Sequence, residues 1–580
     1  MEERCASHDR PFVLEETTIA AIHEAMLDGR LSCRRLVEGY LARIEAYDKK
    51  GPNLNAIILV NPHALEEADR LDARMEQDGL TGPLHGIPIL LKDNVETYDM
   101  PTTAGSLSLE NFETHKDAWI VKKMREAGAV ILAKTNLHEF AVWGETVSSI
   151  LGQTYNPYDH TRTPGGSSGG TGAGLAANFG VAGIGTDTIN SIRSPSSANS
   201  LVGIRPTIGL VSRDGIVPYS LTQDTAGPLA RTVADAARVL DVIAGCDPKD
   251  PVTESCIGRV PPSYLDSLND DGLRGRRIGV LRSFFGTKDI HRDVNAAMEH
   301  CLDIMRENGA EVVDIEETID SGYLVKNVSV HIHDLKTHLG QYLAAFGDAA
   351  PVHSLADVLA SGKYHPGLKS NLDEAMGYDV GTPVYNERLR QRAELQKQIL
   401  AIMDKYQVDA IVYPHQKQLV CKVGKSQEER NGVIGSVSGY PAIVVPAGFS
   451  EPSDDAPIGV FGLMAYTVSM HGLGVLLPLI KLVLVMYLAC ILQILIVYLP
   501  CVKVTGLTTS RFLKGLASPM MIAFTTCSSA AALSTTLLSV QKLGASRSVS
   551  SFSIPLGNTI NMDGAAIYMG IAAIFAAEVY

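Results

Sequence analysis

No CxxC pair occurs among the nine cysteines. Cys5, Cys33, Cys246, Cys256, Cys301, Cys421, Cys490, Cys501 and Cys527 are odd in number and scattered along the chain. That spacing excludes a disulfide framework or a zinc ribbon and fits reduced thiols in a cytosolic compartment. Basic charge is also short, with 50 Lys and Arg against 64 Asp and Glu. Neutralising phosphates needs clustered basic residues, so nucleic acid is excluded as a partner. The opening MEERCASHDRPF has no apolar run, so no signal peptide is expected there. What is present is bulk: 580 residues, 46% of them hydrophobic. That excludes disorder as the main state and suggests one large α/β domain plus something else.

Charge divides the chain unevenly. Residues 459–580 hold six basic side chains (Lys481, Lys503, Arg511, Lys514, Lys542, Arg547) and two acidic ones (Asp563, Glu578), a net of +4; with −14 overall, residues 1–458 carry −18. The expected domains are therefore 1–458, acidic and soluble in character, and 459–580, with SEPSDDAP (Ser450–Pro457) as the linker between them.

In the first part, apolar strands alternate with helical patterns. Thr18 to Tyr47 carries helical spacing (Ile19, Ile22, Met26, then Leu36, Tyr40, Ile44), and NAIILV (Asn55–Val60) follows as a short apolar run. Lys122–Asn136 reads as a helix, a stop at Gly128 and a buried strand Ala129–Ala133. The same order recurs at His300–Ile315 and in VDAIVYP (Val408–Pro414), and YPAIVVPAG (Tyr440–Gly448) reads as another buried strand. This alternation predicts an α/β sheet covered on both faces.

The last 122 residues read differently. Leu482–Pro500 has Gln493 as its only strongly polar side chain. Nineteen such residues span about 28 Å as a helix, close to a bilayer core. Ser553–Val579 is a second apolar stretch, interrupted by NTINMDG (Asn558–Gly564). Gly515–Gln541 has TTCSS (Thr525–Ser529) at its centre and basic residues beyond both ends. Basic residues prefer the cytoplasmic face, so the segment is expected to enter and return as a re-entrant hairpin.

The chemistry concentrates in PGGSSGGTGAGLAAN (Pro164–Asn178), GIGTDTINSIRSP (Gly183–Pro195) and the upstream HGIPILLKDNVET (His85–Thr97), a strand ending at Lys92. Three readings compete. A phosphate loop wants GxxxxGK[ST], and no Lys follows here. A flexible linker does not sit between apolar strands. A serine hydrolase has no GxSxG elbow to show, and His85 and His138 have no partner pattern. Such a serine needs another base, and a buried lysine serves because burial lowers its pKa.

Taken together, GGSSGG, GTD..SIR.P and GIP..LKD resemble the amidase signature family, from about Glu15 to Gly459, with GIRPTIGLVSRDGIVP (Gly203–Pro218), DTAGPLARTVADAA (Asp224–Ala237) and GYPAIVVPAGFS as further matches. The resemblance implies an α/β/α mixed-sheet domain that hydrolyses carboxylic amide C–N bonds through an acyl-enzyme, with no cofactor and no metal. By position, Lys92 resembles the base, Ser167 the bridging serine, held by a cis peptide to Ser168, and Ser191 the nucleophile. Backbone N–H groups of Thr188, Ile189, Asn190 and Ser191 would form the oxyanion hole, backed by Ser168, Asp187 and Arg193. The commonest family pattern has two glycines where Ile189 and Asn190 stand; side chains there limit φ without removing the N–H groups. An amidotransferase component that feeds ammonia to a partner is the nearest enzymatic alternative.

HIHDLKTHLGQYLAAF (His331–Phe346) holds three histidines, but Leu335, Leu339 and Leu343 at helical spacing predict a core-facing helix rather than a metal site.

The tail resembles a second family. APIGVFGLMAYTV (Ala456–Val468), AFTTCSSAAALS (Ala523–Ser534) and IPLGNTINMDGAAIY (Ile554–Tyr568) are similar to the sodium- or proton-coupled dicarboxylate/glutamate symporters. Asn561 and Asp563 resemble that family's cation-site residues, and Ser528 and Ser529 its hairpin tip. The resemblance implies an all-α membrane fragment that contacts a lipid bilayer but lacks the early helices, the second hairpin and the final helix, so no autonomous symport is expected. The two resemblances meet at Pro457–Val460, which reads as a fusion or a misjoined gene. The expected protein takes a small amide substrate. It is membrane-associated with a cytoplasmic catalytic domain if the join is real, and cytoplasmic otherwise.

Overall fold

The structure, a computed structural model, describes residues 12–448 and 450. The chain divides into two units, Met1–Glu451 and Pro452–Tyr580, and every described residue belongs to the first. The apolar segments of the tail, its re-entrant hairpin and Ser528, Ser529, Asn561 and Asp563 lie outside the described residues. Among the described residues no helix is long and apolar enough to cross a membrane.

Among the described residues twelve strands follow one another: β1 (Ile57–Val60), β2 (Pro88–Lys92), β3 (Val130–Thr135), β4 (Val147–Ser148), β5 (Gly152–Gln153), β6 (Ala182–Asp187), β7 (Val202–Arg205), β8 (Thr225–Ala230), β9 (Arg277–Leu281), β10 (Glu311–Ile315), β11 (Ala410–Val412) and β12 (Ala442–Val444). Seven form the main sheet, in the order β1-β3-β2-β6-β8-β7-β12. β2 runs parallel to β3 and to β6, with Ile89 opposite Ala182 and Leu91 opposite Ile184; the other pairs are antiparallel. A smaller parallel sheet, β10-β9-β11, has its own core around Leu281, Phe284 and Ile315.

β2, β3, β6 and β8 are buried at every residue. Successive side chains of a strand point to opposite faces, so the centre of the sheet is covered on both sides, as the near-continuous apolar runs predict. β12 departs from the expected buried strand. It is three residues long, pairs among the described residues only with β7, and leaves Ile443 52% exposed. An edge strand has a neighbour on one side only, which its own composition does not reveal.

The helical pattern of Thr18–Tyr47 is two helices, α1 (Ile19–Leu27) and α2 (Cys33–Tyr47). Gly29 takes φ +71°, which ends the first, and the Ser32 side chain accepts the N–H of Arg35 and starts the second. Further along lie α3 (Trp119–Glu126), α4 (Gly169–Ala176), α5 (Arg193–Ala198), α6 (Val233–Ile243), α7 (Arg292–Glu307), α8 (His331–Ala344) and α9 (Ile434–Ser438). Gly128, at φ +90°, separates α3 from β3, and α7 leads into β10. α8 buries Leu335, Leu339 and Leu343 completely in a second core. Its three histidines go to separate partners: His331 to Ser329 and Tyr219, His333 against Tyr378, and His338 to the N–H of Leu221.

Candidate active site

The site stands at the carboxyl ends of β2 and β6, two neighbouring parallel strands, the usual place for one in an α/β sheet. β2 ends in Lys92 and β6 in Thr186 and Asp187. The Gly/Ser segment runs into α4 beside them. It is glycine-rich because it is crowded: a Cβ on Gly170 would lie 2.3 Å from the Asn136 carbonyl oxygen. The cis peptide lies between Gly166 and Ser167, one bond earlier than the expected link from Ser167 to Ser168. A cis unit crowds its two flanking Cα atoms, and Gly166 brings no Cβ to that crowding.

Lys92 is completely buried. Its Nζ lies 2.8 Å from Ser167 Oγ, 2.8 Å from Thr186 Oγ1 and 3.4 Å from the Thr186 carbonyl oxygen. Burial lowers its pKa from 10.5 to about 7, while the charges of Asp187 and Asp224 pull it back up. A neutral amine has two N–H donors and one lone pair. Three oxygens surround the Nζ, two of them on Thr186 and the third the hydroxyl of Ser167, more than the two N–H groups of a neutral amine can serve. Ser168 ties the segment down: its Oγ donates to the Thr186 carbonyl at 3.2 Å, and its N–H donates to the Ser191 carbonyl at 3.2 Å. That last bond brings Ser191 beside the Ser167–Ser168 pair. No hydrogen bond joins Ser191 Oγ to Ser167 Oγ among the described residues; catalytic hydrogen bonds often tighten only when substrate is bound.

The segment from Thr188 to Ser191 is held by its carbonyls. The Asp187 carbonyl accepts from Arg205 Nη1, and the Thr188 carbonyl from Gln223 Nε2 at 3.3 Å. The Ile189 carbonyl accepts from Arg193 Nη2 at 2.7 Å and from Ser436 Oγ, and the Asn190 carbonyl from the N–H of Ser194 at 2.7 Å. In a trans peptide the N–H points opposite to the C=O. Each anchored carbonyl therefore turns the following N–H, of Thr188, Ile189, Asn190 and Ser191, the other way. None of these four N–H groups has an acceptor among the described residues. Neither Ile189 nor Asn190 has a positive φ, so the loop makes no demand here that only glycine meets.

Behind this loop, Asp187 accepts from Arg193 Nε at 3.1 Å, Arg205 Nη1 at 2.9 Å and the N–H of Ile192 at 3.1 Å. Burial alone would raise its pKa, but the two guanidinium groups hold its carboxyl well below the usual carboxylate range. Asp224 accepts from Thr188 Oγ1 and from the N–H groups of Tyr219 and Ser220. Arg205 and Asp224 lie in the matching segments Gly203–Pro218 and Asp224–Ala237 without a role assigned there, and Gln223 and Ser436 lie outside any motif. They lie 18 to 247 residues from the groups they hold.

The nearby histidines do not replace Lys92. Burial pushes His138 and His415 down to about 3, so both are neutral. Among the described residues neither ring bonds to Ser167 or Ser191. His85 contacts Thr81 and Cys33 instead.

A family model described as Amidase matches residues 35–467. The chain belongs to the amidase family. A probable amidase of Arabidopsis thaliana is 33% identical over 79% of this chain and 88% of its own length. A glutamyl-tRNA(Gln) amidotransferase subunit of Acinetobacter baumannii (strain AYE) is 33% identical over 77% of this chain and 92% of its own. Among solved structures, the native peptide amidase of Stenotrophomonas maltophilia matches with a TM-score of 0.69 and 39% identity, covering 76% of this chain and 91% of that one. The first unit therefore has an amidase-like α/β mixed-sheet fold, and the protein is an amidase enzyme. A second family model, the sodium:dicarboxylate symporter family, matches residues 455–580.

Proposed function

We propose that this amidase cleaves small carboxylic amides through an acyl-enzyme on Ser191, with Ser167 as the relay and Lys92 as the base. The observation that carries this reading is the completely buried Lys92, whose Nζ lies 2.8 Å from Ser167 Oγ, close enough to take that hydroxyl's proton once the amine is neutral. Ser191 Oγ attacks the amide carbon and forms the new C–O bond. Its proton passes to Ser167, whose own proton passes to Lys92. The carbonyl electron pair moves to oxygen, where the N–H groups of Thr188 to Ser191 receive the negative charge. When the tetrahedral species collapses, the C–N bond breaks, and the leaving nitrogen takes the proton back from Lys92 through Ser167. Water then attacks the ester by the same path in reverse, releasing the acid and restoring Ser191.

The likeness to a peptide amidase favours terminal peptide amides as the substrate class. The likeness to an amidotransferase component favours a second reading, in which the ammonia is passed to a partner. Ammonia release by the purified chain alone separates the two. Peptide amides, simple aliphatic and aryl amides and glutamine would be compared. Turnover of a peptide amide without any partner is the expected result. Release from glutamine alone, and only once a partner is added, would overturn it.

A further inference from the structure

Gln223 is completely buried, and the motifs that mark the site do not include it. Its side chain makes three hydrogen bonds to two distant segments. Nε2 donates to the Thr188 carbonyl at 3.3 Å. Oε1 accepts from Ser329 Oγ at 3.0 Å and from the N–H of Val330 at 2.8 Å. Its own backbone is fixed as well: its carbonyl accepts from Arg205 Nη2 at 2.8 Å, and its N–H donates to the Ser220 carbonyl at 2.8 Å. One amide group therefore spans from the entry of α8, where Val330 precedes His331, to the loop before Ser191.

The other three carbonyls of that loop are held by charged or covalently near groups: Arg205, Arg193 with Ser436, and the N–H of Ser194. The Thr188 carbonyl has the Gln223 amide. The peptide unit it fixes is the one whose N–H belongs to Ile189. We propose that Gln223 is a positioning residue for amide cleavage. It aims the Ile189 N–H at the developing oxyanion and ties that aim to the entry of α8. The proposal rests on the reading of Ser191 as the nucleophile. Losing one oxyanion donor outright costs about 10²–10³ in rate. A donor that is only misdirected costs less, so the expected loss is on the order of 10-fold to 100-fold.

Two variants test this. Gln223→Met keeps the length of the side chain and removes the donor. Gln223→Glu keeps an acceptor for Ser329 and Val330, and gives Thr188 a donor only while its carboxyl is protonated. The readouts are kcat and KM for an amide, the melting temperature, and inhibition by an aldehyde analogue of that amide. The aldehyde carbon takes Ser191 Oγ, and its oxygen becomes an oxyanion while the serine proton goes to Lys92 through Ser167.

For Gln223→Met we expect kcat to fall about 10-fold to 100-fold with KM within about threefold of the starting value. Aldehyde inhibition should weaken by the same factor as kcat. For Gln223→Glu, the ratio of variant to parent kcat should fall as pH rises and the new carboxyl ionises. Unchanged kcat in Gln223→Met, or a loss seen only in KM, would overturn the proposal. If Gln223→Met does not fold, a flat Gln223→Glu ratio across pH would overturn it just as directly. Should Ser191→Ala keep its turnover, the nucleophile assignment itself falls; parent turnover in Gln223→Met beside an inactive Ser191→Ala rejects the role of Gln223 alone.

Discussion

Ser191→Ala is expected to lower turnover of any amide the protein cleaves by on the order of 10⁴-fold or more, with the fold intact. The reason is positional. Ser191 is the one serine that both follows the anchored carbonyls of residues 187–190 and has its own carbonyl bonded to the N–H of Ser168. On the proposed reading, a nucleophile there would face the substrate carbon with Ser167 as its proton relay. Alanine keeps the loop, its N–H groups and the burial, so substrate can still bind and only bond formation is lost. Circular dichroism and the melting temperature should match the parent, because the Ser191 side chain has no hydrogen-bond partner among the described residues. Turnover at the parent level would mean that another group attacks.

Lys92→Ala should cost several orders of magnitude too, and it adds a second signature in the pH profile. Lys92 is a base only when neutral, and burial has already lowered its pKa to about 7. Below that pH its ammonium has no lone pair for the Ser167 proton. As pH rises through about 7 the neutral fraction grows, so kcat/KM of the parent should rise and then level off. The residual activity of Lys92→Ala should lack that rise. Lys92→Met, which fills the same buried space without a nitrogen, guards against a loss caused by a cavity. If either variant kept both the parent rate and the parent rise with pH, a group other than Lys92 would be the base. His138 and His415 do not fill that role, since neutral imidazoles that titrate at about 3 would place the rise well below neutral pH.

The legible parts of this protein are the ones in which chemistry and local geometry share a short stretch of chain. A strand that ends in Lys92 and a Gly/Ser-rich loop that leads into a helix beside Ser167 can both be read in place. Spacing and composition carry each of them. The alternation of buried strands and helices was legible where a strand carries a short apolar run, as β1 does in Ile57–Val60 and β3 in Val130–Ala133. What did not show were contacts between segments far apart in the chain. Nothing around Gln223 or Ser436 announces that each will hold a carbonyl of the loop before Ser191, because the partner is supplied by folding. Edge position escaped for a similar reason: YPAIVVPAG is as apolar as a central strand, yet among the described residues β12 has a neighbour on one side only. The break between α1 and α2 was readable in principle from Gly29 and Ser32, but the apolar spacing on either side continues across it and hides it. The cis bond falls before Ser167 rather than after it, a one-bond difference that the motif does not spell out.

The central claim is that Ser191 carries the acyl group. The most direct measurement is to mix the full chain with an activated amide, quench in acid within one turnover, digest, and locate the added acyl mass by tandem mass spectrometry. The account predicts an acyl ester on the peptide containing Ser191, formed with the burst of released amine and absent in Ser191→Ala. An acyl group on Ser167, on a cysteine or on any other residue, or a burst of amine with no modified peptide, would contradict it.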